Sequence, residues 1–177
     1  SGDVLWRGPN DGSISGLGSE LYHHEFTRLK SGNYMVLGNE FIISSGKIPG
    51  MNTMPVPQRN GVPPRTDSAA NASRKLPYST IIEYDKYGKV VWHWRSSEYF
   101  IGSDVDNYRP VNSRFMDVHE NSFFFDEVNK NIYVSCRNIS RVIKINYPEG
   151  RVLRNYGEIY TPGVPPAENG MFCGQHS

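Results

Sequence analysis

The sequence predicts an all-β chain made of β-propeller blades, each of four antiparallel strands, and three observations lead there. Eleven Tyr, eight Phe and three Trp occur with 17 Gly and 12 Pro in 177 residues, a mixture that favours short strands and tight turns over helices. No stretch keeps a 3.6-residue apolar period between caps, whereas short β-branched and aromatic runs recur throughout. The chain also resembles itself, as periodic β architectures do.

The elements follow in order. Gly2-Asp3-Val4-Leu5-Trp6 reads as the final strand of one blade, residues 1–8. A blade at 20–95 opens with His24-Glu25-Phe26, turns at Gly32-Asn33, and continues through Tyr34-Met35-Val36-Leu37-Gly38-Asn39. Its later strands are Ile81–Tyr84 and Val90–Trp92, joined by Asp85-Lys86-Tyr87-Gly88. Between them, residues 44–79 contain six prolines among Gly, Ser and Asn, which predicts a surface loop, either a binding element or a plain linker. A second blade at 115–157 repeats the plan: His119-Glu120-Asn121, then 131–138 aligned end to end with 32–39, then Val142–Leu153 against Ile81–Trp92. Residues 170–177, ending Gln175-His176-Ser177, read as the opening of another unit.

Four short strands per unit meandering through tight turns describe a propeller blade. Two or three blades would leave sheet faces and edges open, and propellers close with about 4 to 8. The expectation is therefore a segment of a larger propeller, completed by a longer chain or by another subunit, and inactive by itself. The start at Ser-Gly-Asp fits a processed, cloned or internal beginning.

Charge narrows the partners. Nineteen basic against eighteen acidic residues give a net charge of +1 with no segregation, so there is no surplus for gripping nucleic acid or an anionic membrane. No apolar run approaches a membrane span, and no charged-then-apolar signal pattern is read within these 177 residues. Cys136 and Cys173 permit one bridge without diagnosing a disulfide framework.

In a propeller the first strand of each blade lines the central channel. The repeat map places His24, His119 and His176 at the entry to that strand in three consecutive units. Asn121 follows His119 by two residues, hence on the same face, and Arg137 lies on the neighbouring strand. Arg offers a planar fork of donors and imidazole adds hydrogen bonds or charge, which suits an oxyanion such as a phosphoryl or sulfuryl group. A single histidine there would be structural; three at one register mark a functional site. His23 alternates away from His24, and His93 lies between Trp92 and Trp94 in an outer strand, so both are expected to be structural. Three imidazoles also make a Zn or Cu site, but a permanent cation at Arg137 would repel a divalent metal, so no metal and no cofactor are assigned.

At these residues the sequence resembles the bacterial arylsulfate sulfotransferases. The motifs are His23-His24-Glu25-Phe26 with Gly32-Asn33-Tyr34; Asp117-Val118-His119-Glu120-Asn121-Ser122 with Ser135-Cys136-Arg137-Asn138 and Lys144-Ile145; and Gly174-Gln175-His176. The resemblance implies a six-bladed propeller whose funnel binds an aryl sulfate. It implies transfer of the sulfuryl group to a phenol through a sulfohistidine, without a phosphoadenosine-type donor, in a periplasmic or secreted enzyme. His176 matches the covalent histidine, while His24, His119, Asn121 and Arg137 match the residues around the sulfuryl group. Either His24 or His119 is the expected general acid, and Tyr99, Phe100 and Tyr108 are candidates to stack on the phenol ring. A disulfide between Cys136 and Cys173 would be compatible with export. The competing readings are a propeller that only binds a ligand or protein, and a histidine-coordinated metal hydrolase.

Overall fold

The computed structural model describes residues 2–44, 74–100 and 118–157. Eight strands account for most of them: β1 (Tyr22–Arg28), β2 (Tyr34–Ser44), β3 (Arg74–Tyr84), β4 (Val90–Arg95), β5 (Glu120–Asp126), β6 (Asn131–Cys136), β7 (Arg141–Asn146) and β8 (Val152–Gly157). They form two four-stranded antiparallel sheets in plain sequence order, β1-β2-β3-β4 and β5-β6-β7-β8. Single 3₁₀ turns follow β4 and β6, at Ser96–Glu98 and Arg137–Ile139. The all-β, blade-like reading of the sequence is therefore the architecture of both sheets.

The two sheets turn between their last two strands in the same way. Between β3 and β4, Asp85 Oδ1 accepts the Tyr87 and Lys89 N–H groups, each at 2.9 Å, and Gly88 sits at φ +84°. Between β7 and β8, Asn146 Oδ1 accepts the Arg151 N–H at 2.7 Å and Gly150 takes φ +72°. A short polar side chain mimicking a backbone acceptor, followed by a glycine free to enter the left-handed region, is a turn written in sequence.

Anchoring the repeat at these turns corrects the alignment by one residue. Tyr34 pairs with Tyr84, and Ile132 pairs with Ile145, so Tyr34 corresponds to Ile132 rather than to Tyr133. Because side chains alternate across a strand, that slip exchanges the faces of the whole segment. In the corrected register Val36, Ile82 and Tyr84 match Val134, Ile143 and Ile145, one equivalent face in each sheet. In the first sheet this face packs against Trp6, Ile14 and Val90. In the second it packs onto the opposite face of the first sheet, against Met35, Leu37, Ile81 and Trp94, in one core.

Polar bonds also tie the sheets together. Tyr147 donates its hydroxyl to the buried Glu83 carboxylate at 2.7 Å, and the Trp92 indole N–H donates to the Pro148 carbonyl at 2.6 Å. Burial and the carboxylate beside it raise the Tyr147 phenol above its ordinary range, so the hydroxyl keeps its proton and stays a donor.

Two elements differ from expectation. The ladder between β2 and β3 runs as far as Ser44↔Arg74, so both ends of the segment assigned to the insert are strand. The apolar run Phe41-Ile42-Ile43 just before that segment pairs with Lys75-Leu76-Pro77, so Pro77 in β3 does not stop the ladder. Residues 2–10 form no strand. Their one large aromatic nevertheless docks, with Trp6 stacked on Tyr34 at 4.2 Å between ring centroids. The strap is then held by a knot at 10–20, where Glu20 accepts the Ile14 and Ser15 N–H groups at 2.8 and 3.0 Å. Gly12, at φ +73°, permits it, since a Cβ there would lie 1.8 Å from the Leu17 carbonyl oxygen.

Candidate functional site

β1 and β5 begin next to each other, and each is irregular where it begins. The β1–β2 register shifts between Tyr22 and Phe26, and the β5–β6 register shifts between Glu120 and Ser122. His24 and His119 both adopt left-handed backbone conformations there, at φ +54° and +56°. Such a conformation costs a non-glycine residue about 1 kcal/mol and is concentrated at sites where geometry matters.

The two imidazoles come together. Their ring centroids are 5.5 Å apart with planes at 75°, an edge-to-face contact between residues of different sheets. They do not meet through equivalent positions, as the repeat map had it. The Arg137 N–H donates to the His119 carbonyl at 3.0 Å, and the Asn39 N–H donates likewise to the Leu21 carbonyl at 2.9 Å. His119 thus stands where Leu21 stands, and His24 lies three residues farther along, inside the bulge. The bulge, not pseudo-symmetry, carries His24 to His119.

Arg137 opens the 3₁₀ turn after β6 and is half-buried, its backbone fixed to that of His119. Asn121 is 1% exposed. The same-face argument for Asn121 fails, however, because His119 precedes the strand and Asn121 is the bulged residue; Glu120 and Asn121 are buried consecutively. His176 and Cys173 lie outside the described residues, as does Tyr108. Phe100 is a buried core residue, which removes it from the phenol-stacking role considered for it, while the Tyr99 ring packs partly against that core with its hydroxyl paired to the Asn155 amide.

Behind the histidines, Glu120, Cys136 and Arg141 occupy one row across β5, β6 and β7. All three are nearly inaccessible. Burial pushes the Cys136 thiol far up, and Glu120 pushes it further while Arg141 opposes this. A thiol so held stays protonated at neutral pH and is no nucleophile. His93 is exposed on β4, far from this chemistry in the sheet order.

Sequence reasoning missed His23. Its Nδ1 lies 3.0 Å from the His24 Nδ1, with ring centroids 5.1 Å apart and planes at 88°. In a regular strand, neighbours point to opposite faces; the left-handed His24 breaks that alternation and brings both rings to one side. The His-His doublet was the visible signal, and only the bulge gives it meaning. Both rings line a cleft of about 580 Å³ with Trp6, Arg7, Tyr22 and Phe26. The Tyr22 hydroxyl on its wall donates to the Pro9 carbonyl at 2.7 Å and lies 3.0 Å from the Tyr84 hydroxyl. Burial raises both phenols above their ordinary range. Among the described residues no three His, Cys, Asp or Glu side chains converge as a metal site, and no helix is long and apolar enough to cross a membrane.

No curated protein and no solved structure matches the chain. The family model for arylsulfotransferase (ASST) matches residues 64–158, more than half of the sequence, including His119, Asn121 and Arg137 but not His24 or His176. With a blade-like β scaffold, and two histidines drawn together beside an arginine, that match completes the assignment: the chain belongs to the arylsulfotransferase family, sulfotransferase-like enzymes.

Proposed function

We propose that the protein transfers a sulfuryl group from an aryl sulfate ester to a phenolic acceptor through a sulfohistidine intermediate. His176 is the nucleophile in this reading. Its neutral imidazole attacks sulfur, the S–O bond to the donor phenol breaks, and a second imidazole, His24 or His119, gives the departing phenolate its proton. The acceptor phenol returns a proton to that imidazole, attacks sulfur, and breaks the N–S bond, which makes the kinetics ping-pong. Arg137 and Asn121 hold the sulfuryl oxygens, whose charge grows in transit, as preorganised donors do in related phosphoryl transfers. No cofactor is needed, and the expected site of action is periplasmic or secreted. Further blades, from a longer chain or another subunit, would close the channel around the histidines.

The observation that supports this reading most is the 5.5 Å approach of His24 and His119, 95 residues apart in sequence, next to the backbone of Arg137. Imidazole can both give and take a proton, which is what the departing and the attacking phenol each need.

The test is release of 4-nitrophenol from 4-nitrophenyl sulfate by the complete protein. Release that depends on an added phenol and is abolished in His176→Ala is the expected result. Arg137→Ala should lower turnover by ~10²-fold or more, the usual loss of an oxyanion donor. Folded protein with no release would leave a binding module. Acceptor-independent release that a chelator stops would mean metal-dependent hydrolysis instead.

A further inference from the structure

We propose that His23 is a positioning residue that fixes the ring and the neutral tautomer of His24. The proposal rests on the sulfuryl-transfer reading for its catalytic meaning, and on geometry for the rest. The Nδ1 atoms are 3.0 Å apart with the rings nearly perpendicular, a hydrogen-bonding separation in which one nitrogen carries the hydrogen and the other accepts it.

Three features make His23 the anchor and His24 the positioned ring. His24 is exposed and His23 is half-buried, so His23 has less freedom to move. The left-handed backbone of His24 is what places two adjacent side chains on one side of β1. The far edge of the arrangement is the His24 contact with His119, so the three rings form a continuous row, His23-His24-His119. With Nδ1 engaged by His23, the His24 atom left for a substrate is Nε2. A free imidazole exchanges between its two neutral tautomers, and only one of them has the required hydrogen, or lone pair, at Nε2. Pairing with His23 selects one and holds it.

Two substitutions separate position from polarity. In His23→Asn the amide lies near the place of Nδ1; in His23→Gln it lies near the place of Nε2. Two measurements on the complete protein read the outcome: ¹⁵N shifts of the His24 ring nitrogens above the imidazole titration range, and steady-state transfer from 4-nitrophenyl sulfate to phenol. The expected result is one tautomer of His24 in the native protein and in His23→Asn, and averaged nitrogen shifts in His23→Gln. Turnover should fall about 10- to 100-fold in His23→Gln, the scale of a small misplacement of a reacting group, with KM changed by less than about threefold, and His23→Asn should recover most of it. An averaged His24 in the native protein, or equal turnover in folded His23→Gln and native enzyme, overturns the proposal. A single tautomer that His23→Gln abolishes, in a protein that transfers no sulfuryl group, would uphold the positioning role and defeat the sulfotransferase reading, so the two fail separately.

Discussion

The two sheets share strand order, turn chemistry and the register of their two inner strands, yet one is buried on both faces and the other on one. In the first, Tyr34 to Leu37 and Ile81 to Tyr84 are all buried, on either face alike. In the second, β6 and β7 alternate: Ile132, Val134, Ile143 and Ile145 are inaccessible, while Tyr133, Ser135, Val142 and Lys144 are half-exposed. At equivalent places the first sheet has Met35, Leu37, Ile81 and Trp94, and the second has Tyr133, Ser135, Val142 and Tyr156. The aromatic rings of the second are topped by cations, Lys144 at 5.6 Å from Tyr133 and Arg154 at 5.6 Å from Tyr156. The difference teaches that what the two sheets share is the backbone plan, and that each face takes its composition from whatever covers it. A strand buried on both faces reads as a continuous apolar run, and one buried on a single face reads as alternation.

That contrast can be broken most sharply by truncating equivalent residues. Ile81→Ala removes a 1% exposed side chain from the core between the sheets and should cost about 2–5 kcal/mol in urea unfolding, the range for buried Ile-to-Ala changes. A cost below 1 kcal/mol would mean that the inter-sheet core is not closely packed.

The tie between the sheets comes next in size. Tyr147→Phe removes the hydroxyl that Glu83 accepts and leaves that buried carboxylate with the Asn33 amide at 2.7 Å; a loss of ~1.5–3 kcal/mol is expected for a hydrogen bond to a charged group. Double-mutant cycles with Glu83→Gln would show whether the energy belongs to the pair. The smallest effect should be at Val142, the counterpart of Ile81. Its half-exposed side chain predicts less than ~1 kcal/mol for Val142→Ala, and a value matching Ile81→Ala would erase the distinction between the sheets.

Much of this was legible in the chain. The aromatic and β-branched runs, the Asp85-to-Gly88 and Asn146-to-Gly150 turns, and the absence of a helical period gave two four-stranded meanders, because turn chemistry and side-chain alternation are local properties. The extent of β2 and β3 was not, since a proline-bearing segment such as 74–79 reads as loop until a partner strand is seen beside it. The alignment of 32–39 with 131–138 was off by one residue for a related reason: a similarity of letters does not fix hydrogen-bond register, and one residue exchanges the faces.

The site divides in the same way. That His24, His119, Asn121 and Arg137 belonged to related segments came from the sequence alone, as did the resemblance to a family whose chemistry needs imidazoles and an arginine. How two histidines in different sheets come within 5.5 Å, and why His23 joins them, was decided only in three dimensions. The deciding events are two left-handed residues and two register shifts, which depend on the strands packed alongside and leave no mark in local composition. Sequence sets which residues alternate and where the chain turns, while the meeting of strands sets where alternation fails, and here it fails at the histidines.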